Sequence, residues 1–286
     1  MGTARILAAL LVLGCACKRS PPTDPTPVPA QSFANVAYGA DPAQVMDIVL
    51  PAGRSSTTAV IVFIHGGGWS GGDKAIFTTT DLKKFTDRGY ATANINYRLA
   101  STPANIRDPI LSQDVTAALD FLAGRAGQYQ VASARFGLVG HSAGAHLALL
   151  AAYKYDPTRR IKAVASLAGP TDLTDATFLA IPGIRETIEN YLGVTQAAQP
   201  ARWTGASPVS VATATSAPTI LLQGQQDVLV PFTLAEKLQI RLAALQVPVE
   251  YDLFAAYNHD LGYAAIGRFP DAVWDPTLAW FERYVK

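Results

Sequence analysis

The stretch "RFGLVGHSAGAHLALLAA", Arg135 to Ala152, begins as a short apolar run and ends as a run of small residues suited to a helix. Between them lies Ser142, flanked at two residues' distance by Gly140 and Gly144. A chain that passes directly from a strand into a helix must turn sharply, and bulky neighbours two positions from the apex would clash. We therefore predict that Ser142 lies on a strained turn that holds its hydroxyl beyond the carboxyl end of a sheet.

Apolar runs rich in Val and Ile alternate with longer helical patterns along the rest of the chain. This alternation predicts an α/β fold with a mainly parallel sheet covered by helices on both faces. The predicted strands are Val45–Leu50, Ala59–Ile64, Ala91–Tyr97, Arg135–Val139, Ala163–Leu167, Thr219–Gln223 and Pro248–Phe254. The predicted helices include Ala75–Arg88, Ile110–Ala123, Ala143–Tyr155, Phe232–Leu245 and Pro276–Tyr284.

The segment from Thr171 to Ala217 interrupts this alternation and contains a short helical piece at Ile184–Leu192. An excursion of this length above a sheet forms either a small partial lid over a pocket or a structural insertion. The sequence favours neither hypothesis over the other.

The 286-residue chain is 49% hydrophobic and 16% charged, which suits one large α/β domain with a buried core. Its formal net charge is +1, and Arg5 is the only charged residue among the first 14. Because Arg5 accounts for one of the 23 basic residues, the remaining chain has 22 basic and 22 acidic residues. Without a net field to gather phosphates, nucleic-acid binding is not expected.

The N-terminal residues have the pattern of an export signal. Arg5 is followed by an apolar run from Ile6 to Leu13 that is too short to span a bilayer, so we predict a signal at residues 1–14. Val12-Leu13-Gly14-Cys15 resembles the bacterial lipoprotein cleavage box, which implies a lipid on Cys15 and a cell-envelope location. Ordinary secretion, periplasmic or extracellular, is the alternative. The protein would then contact a membrane only through the lipid on Cys15, and an ordinarily secreted protein would have no such anchor.

Residues 15–32 are predicted to be a spacer, because five prolines in Lys18–Ser32 favour extended chain that cannot pack a core. The catalytic domain is then expected at residues 33–286. Cys15 and Cys17 are the only two cysteines, so this domain has no disulfide and no cysteine metal site.

A second motif follows another apolar strand, where "AVIVFIHGGGWSGGDK", Ala59 to Lys74, runs into consecutive glycines. Such glycines let the backbone come close to a ligand and point amides into a cavity, as acyl transfer requires at the developing oxyanion. A flexible loop would explain the glycines alone, but not their pairing with the serine turn. We assign the oxyanion donors to the amides of Gly67, Gly68 and Ala143, and consider Trp69 a candidate for substrate contact.

A serine hydroxyl needs an adjacent base to become a nucleophile, and the chain has four histidines. His65 is expected to brace the glycine loop, His141 to point away from the site, and His146 to pack along the helix. His259 lies in a polar loop after the last predicted strand, so we predict it to be the base.

The acid that orients this base should lie between the serine and the histidine in the chain. Asp227 follows an apolar strand in "PTILLQGQQDVLVPF", Pro218 to Phe232, and is our choice. Its carboxylate would select the imidazole tautomer and stabilise the imidazolium. Asp172, at the start of the excursion, is the alternative.

Taken together, these motifs resemble the α/β-hydrolase superfamily. Within it they resemble esterases with an HGGGW loop, both hormone-sensitive-lipase-like and bifunctional feruloyl/acetylxylan esterase-like. The resemblance rests on "HGGGW" at 65–69, "NINYRL" at 94–99, "SQDVTAALDFL" at 112–122, "GHSAGAHLA" at 140–148, "QGQQDVLVP" at 223–231 and His259. It implies an α/β-hydrolase fold, a catalytic triad of Ser142, Asp227 and His259, a structural Arg98–Asp114 pair, and no metal or organic cofactor.

The expected function is that of a serine carboxylic-ester hydrolase working through an acyl-enzyme. Its substrates would be short-chain, acetyl or aromatic esters, as small molecules or linked to carbohydrate. An amidase such as an arylformamidase is an alternative, because triad chemistry discriminates poorly between leaving groups. A catalytically inactive binding module of the same fold is a further alternative, although none of the three triad residues is missing.

Overall fold

The structure is a computed structural model that describes residues 1–2, 28–101 and 103–286. Cys15, nearly all of the export signal predicted at residues 1–14 and most of the spacer predicted at 15–32 lie outside the described residues. Those three assignments remain predictions.

Within the described residues, eight strands form one sheet in the order β1-β2-β4-β3-β5-β6-β7-β8. β2 pairs antiparallel with β1 and β4, and all other neighbouring strands pair parallel, which confirms the predicted mainly parallel sheet. The strands are β1 (Gln31–Ala37), β2 (Val45–Leu50), β3 (Val60–Ile64), β4 (Ala91–Ile95), β5 (Phe136–His141), β6 (Ile161–Leu167), β7 (Thr219–Gly224) and β8 (Val249–Phe254).

Helices cover both faces of this sheet, as predicted. One apolar cluster lies under α2, α4 and α9, and a second lies under α1 and α11. No helix in the described ranges is long and apolar enough to cross a membrane. The helices are α1 (Thr79–Thr86), α2 (Ile110–Gly124), α3 (Ala126–Tyr129), α4 (Ala143–Lys154), α5 (Ala176–Leu179), α6 (Ile184–Leu192), α7 (Pro200–Gly205), α8 (Pro208–Val211), α9 (Phe232–Ala244), α10 (Tyr263–Ile266) and α11 (Asp271–Tyr284).

Strand β1 was not predicted, because it lies at the edge of the sheet and its side chains are mostly exposed. It begins at Gln31, two residues before the predicted start of the catalytic domain at residue 33. The chain before it also contacts the domain, since the carbonyls of Val28 and Pro29 accept hydrogen bonds from Gly53 and Arg54.

Two predicted helices have different starts. Ala75–Arg88 is divided into a 3₁₀ turn at Lys74–Ile76 and α1, because Thr78 forms a capping box with Asp81 that begins a new helix. α11 begins at Asp271 rather than at Pro276, since its first turn buries Val273 and Trp274. A proline therefore lies inside this helix, not at its start.

The site residues come together because parallel strands end at the same edge of a sheet. β3, β5, β7 and β8 are followed by the segments that carry the glycine loop, Ser142, Asp227 and His259, respectively. β3 pairs in register with β5, with Ile64 opposite Gly140, so the glycine loop lies directly beside the serine turn.

Candidate active site

Ser142 connects β5 to α4 with backbone angles of φ 54° and ψ −121°, a combination that non-glycine residues rarely adopt. Its amide donates to the carbonyl of Leu167 at 2.8 Å, which holds the turn against β6. A Cβ at Gly140 would lie 2.3 Å from the carbonyl oxygen of Gly144, and one at Gly144 would lie 2.1 Å from that of Ile64. The close approach predicted from the glycine spacing is therefore present.

The structure brings together three side chains from distant segments of the chain. Nε2 of His259 lies 2.9 Å from Oγ of Ser142, and Nδ1 of His259 lies 2.7 Å from Oδ2 of Asp227. The Asp227 side chain is fully buried, whereas that of His259 is 20% exposed. Two hydrogen bonds in series thus join the hydroxyl, the imidazole and the carboxylate. The serine end of this series is accessible to solvent.

The Asp227 carboxylate is held in a single orientation. Oδ1 accepts the main-chain amides of Leu229 at 2.9 Å and Val230 at 2.8 Å. Oδ2 accepts Nε2 of Gln223 at 2.8 Å in addition to the His259 bond. Since a carboxylate only accepts hydrogen bonds, Nδ1 of His259 carries the proton, and Nε2 faces the hydroxyl as an acceptor.

Asp172, the alternative acid, is not the partner of His259. Its Oδ1 accepts the amide of Thr174 at 3.0 Å and the hydroxyl of Thr174 at 2.6 Å. Its Oδ2 lies 3.3 Å from Nζ of Lys237 on α9. The side chain therefore stabilises the start of the excursion and the packing of α9 against it.

The glycine loop presents free amides beside the serine. Gly67 and Gly68 have φ values of 115° and 57°, which glycine adopts without strain. Within the described part of the chain, neither amide donates to a protein acceptor. Ala143 begins α4, where the first amides have no acceptor inside the helix. All three predicted oxyanion donors are thus available for a ligand.

A cavity of about 410 Å³ lies over these groups. Ile76 and Leu229 contribute apolar side chains to its wall. The described residues contain no group of three or more His, Cys, Asp or Glu side chains that could hold a metal ion. The cavity is lined by His65, Gly66, Gly67, Gly68, Gly72, Asp73, Ile76, His141, Ser142, Leu229 and His259.

Two of the remaining histidines have the predicted packing roles. His65 stacks on Tyr97 at a centroid distance of 4.4 Å, and its Nδ1 lies 2.7 Å from the carbonyl oxygen of Gly66, so it braces the loop. His146 is fully buried on α4, and burial lowers its pKa to about 4. It is therefore neutral at physiological pH.

The prediction for His141 is wrong, because its side chain borders the cavity instead of pointing away from the site. Nε2 of His141 donates to the carbonyl oxygen of His259 at 3.1 Å. Burial and, to a lesser degree, the neighbouring His259 lower the pKa of His141 to about 4. A neutral His141 thus anchors the loop that carries His259, a contact that no spacing in the sequence indicates.

The prediction that Trp69 contacts substrate is also wrong for its side chain. The residue is only 3% exposed and is not among the described residues that line the cavity. With a φ of 61°, the backbone directs the indole to the back of the loop, where it stacks on Tyr191 of α6 at 4.6 Å.

The excursion is an insertion that supports the loop rather than a partial lid. Of the described residues that line the cavity, none belongs to 171–217. Ile188, Tyr191 and Trp203 of this segment are fully buried in the main core cluster. Thr187 of α6 lies beside the loop, since its Cγ2 would lie 3.3 Å from a Cβ at Gly68.

The predicted structural pair is present behind the site. Nε and Nη2 of Arg98 lie 2.9 and 2.6 Å from Oδ2 and Oδ1 of Asp114, a bidentate arrangement. Asp114 is 1% exposed and also accepts Nε2 of Gln44 at 2.7 Å. The pair joins the segment after β4 to α2.

The chain is similar in sequence to known esterases and to a formamidase. Residues 46–242 match the BD-FAE family. Esterase LipC of Mycobacterium tuberculosis is 26% identical over 231 residues, covering 73% of this chain and 55% of LipC. Kynurenine formamidase of Danio rerio is 28% identical over 149 residues, covering 50% of this chain and 47% of the enzyme. The chain therefore spans about half the length of these curated relatives.

The fold is shared with a solved truncated carbohydrate esterase from gut microbiota. The two superpose with a TM-score of 0.76 at 19% identity, covering 93% of this chain and 99% of that one.

Proposed function

Because this chain belongs to the BD-FAE family, an esterase family of the α/β-hydrolases, we propose that it is a serine carboxylic-ester hydrolase that works through an acyl-enzyme. The observation that carries this proposal is the line of hydrogen bonds from Ser142 through His259 to Asp227, at 2.9 and 2.7 Å, beside free main-chain amides. A nucleophile, its base, the orienting acid and donors for an oxyanion are the parts that acyl transfer needs.

In the first half-reaction, Oγ of Ser142 attacks the ester carbonyl while Nε2 of His259 takes the hydroxyl proton. The buried Asp227 stabilises the imidazolium that results, and it holds the ring so that Nε2 stays aligned with Oγ. The imidazolium then gives its proton to the departing alcohol oxygen as the carbon–oxygen bond breaks. The acyl group remains on Ser142.

In the second half-reaction, water replaces the alcohol. His259 takes a proton from the water as its oxygen attacks the acyl carbonyl, and returns that proton to Oγ as the acid leaves. In both halves the carbonyl oxygen becomes negative, and the amides of Gly67, Gly68 and Ala143 donate to it. Loss of one such donor typically lowers kcat by about 10²- to 10³-fold.

We propose short-chain, acetyl or aromatic esters as substrates, including esters on carbohydrate. The volume of about 410 Å³ and the apolar side chains of Ile76 and Leu229 support a small acyl or aromatic group. Likeness to a carbohydrate esterase supports esters whose alcohol part is a carbohydrate.

Arylformamide hydrolysis is the second candidate, and the similarity to kynurenine formamidase favours it. A formamide carbonyl reacts through the same tetrahedral intermediate, but its leaving nitrogen is poorer than an alcohol oxygen.

A substrate panel separates the two activities. We expect kcat/KM for p-nitrophenyl acetate to exceed that for N-formylkynurenine by about tenfold or more, since the aryloxide is the better leaving group. Long-chain and sugar-acetate esters in the same panel define the acyl and alcohol preference. A higher kcat/KM for the formamide would replace the esterase proposal with the amidase.

We also propose that the protein is exported and tethered to the cell envelope through a lipid on Cys15, as the cleavage-box pattern suggests. Metabolic labelling with an alkynyl palmitate analogue should label the natural protein and leave Cys15→Ala unlabelled. Cys17→Ala is the matched control, because it keeps Cys15 of the cleavage box and should be labelled like the natural protein. Equal labelling of all three proteins would refute the tether.

A further inference from the structure

Trp69 follows the glycine loop and is held on several sides by buried groups. Its indole stacks on Tyr191 at 4.6 Å and meets the ring of His146 edge-on at 5.2 Å. Its carbonyl oxygen accepts the amide of Ala100 at 2.8 Å. Since Trp69 is only 3% exposed, these contacts fix the end of the loop from behind.

The loop needs such an anchor because its backbone is unusual. Gly67, Gly68 and Trp69 have consecutive positive φ values of 115°, 57° and 61°. Glycine accepts these angles freely, but a tryptophan does so only when its surroundings hold it there. The direction of the Gly67 and Gly68 amides therefore depends on the position of the Trp69 indole.

The polar end of the indole is bound to His146. Nε1 of Trp69 donates to Nδ1 of His146 at 3.2 Å, and Nε2 of His146 donates to the carbonyl oxygen of Ala206 at 2.7 Å. The carbonyl only accepts, so the proton of the neutral ring is on Nε2 and Nδ1 is free to accept the indole N–H. Both ring nitrogens are thus satisfied within the core.

His146 lies on α4, one turn after Ala143, the first residue of that helix. The Trp69–His146 bond therefore spans the two elements that supply the oxyanion donors, the glycine loop and the start of α4. Gly68 lies next to Trp69 in the chain, so a shift of the indole relative to α4 would change the spacing between the donors.

We propose that the Trp69–His146 hydrogen bond sets the spacing between the two sides of the oxyanion hole, which makes both residues positioning residues for acyl transfer. The inference rests on the function proposed above, because it assigns a purpose to the same amides. Neither residue is among the described residues that line the cavity, so neither is expected to touch the substrate. They act on the transition state, in which the oxyanion needs donors at closely defined distances.

Two substitutions of His146 separate this role from simple packing. Asparagine places its Oδ1 near the position of Nδ1, so His146→Asn can still accept the indole N–H. Glutamine is closer to histidine in length and reaches the Ala206 carbonyl, but it leaves the indole N–H without an acceptor. A packing role therefore predicts that glutamine is tolerated better, and the positioning role predicts the reverse.

We expect His146→Gln and Trp69→Phe each to lower kcat for p-nitrophenyl acetate about tenfold or more, with KM within about twofold. His146→Asn should keep kcat within about threefold of the natural protein. Combining Trp69→Phe with His146→Gln should lower kcat no further than the worse single change, because both remove the same bond. Inhibition by a trifluoromethyl ketone, which occupies the hole as a tetrahedral adduct, should weaken in parallel with kcat.

Tyr153→Phe is the matched control, because it removes another side-chain hydrogen bond from α4, the 2.6 Å contact between the hydroxyls of Tyr153 and Thr219. Its kcat should be unchanged.

The inference is overturned if His146→Gln is tolerated better than His146→Asn, if the effects of Trp69→Phe and His146→Gln on kcat are additive, or if the loss of activity appears in KM. If thermal unfolding shows that Trp69→Phe does not fold, the comparison of His146→Asn with His146→Gln still tests the inference. A natural protein without esterase activity would overturn the proposed function and this inference together, whereas unchanged variants of an active enzyme would overturn only the inference.

Discussion

Ser142→Ala is expected to lower kcat for p-nitrophenyl acetate by a factor on the order of 10⁴ or more. The change removes the only atom that can form the acyl-enzyme, while the free amides and the cavity remain. Residual turnover would come from water attacking a bound ester, a slower and less well-positioned reaction. Stopped-assay kinetics and covalent labelling by a fluorophosphonate probe measure the two consequences independently.

A matched serine makes this result specific. Ser210 on α8 is exposed and is not among the residues that line the cavity in the described part of the chain, so Ser210→Ala should keep full activity and full labelling. If Ser142→Ala hydrolyses the ester at the natural rate, or still reacts with the probe, Ser142 is not the nucleophile and the proposed mechanism is wrong.

Asp227→Asn is expected to lower kcat by about 10³- to 10⁴-fold at neutral pH. Oδ1 accepts the main-chain amides of Leu229 and Val230 at 2.9 and 2.8 Å, so the amide oxygen of asparagine must occupy this position. The NH₂ group then faces Nδ1 of His259, where the carboxylate oxygen lay 2.7 Å away. An NH₂ group donates, so Nδ1 must become the acceptor.

The consequence is a change of tautomer in His259. With Nδ1 accepting, the ring proton moves to Nε2, and Nε2 can no longer take the proton of Ser142. The new NH₂ group also faces Nε2 of Gln223, a second donor, so this buried hydrogen bond is lost and the temperature of thermal unfolding should fall, while KM should stay close to that of the natural protein. NMR of the imidazole ¹⁵N nuclei would report the new tautomer directly.

Asp172→Asn serves as the control for Asp227→Asn, since Asp172 is the other acid that the sequence allowed. Its carboxylate binds Thr174 and Lys237, so we expect kcat within about threefold of the natural value. A large loss in Asp172→Asn with normal activity in Asp227→Asn would mean that the acid has been assigned to the wrong residue.

The local geometry of the serine turn was predictable because it depends on neighbours in the chain. Gly140 and Gly144 lie two residues from Ser142, and a sharp strand-to-helix turn leaves no room for a Cβ at either position. The order of strands and helices was predictable for the same reason, since hydrophobic periodicity is a local signal. Edge strand β1 was missed because its exposed side chains carry no such signal.

The choice of His259 among four histidines was possible because chain order and loop position excluded the others. The sequence also favoured Asp227 as the acid, with Asp172 as the alternative. Only the folded sheet decided between them, because β7 and β8 are adjacent and place Asp227 within 2.7 Å of His259. Such a distance depends on strand order, which no single segment encodes.

By itself, then, the sequence determined the α/β order, the strained serine turn, the glycine loop and the residues available for the chemistry, because each depends on near neighbours in the chain. The tertiary structure alone decided where the long side chains point. It turned Trp69 away from the cavity to His146 and Tyr191, and it brought His141 to the carbonyl of His259. The excursion likewise supports the loop instead of covering the cavity. These contacts join residues from 77 to 122 positions apart in the chain, and only the packing of complete elements brings such residues together.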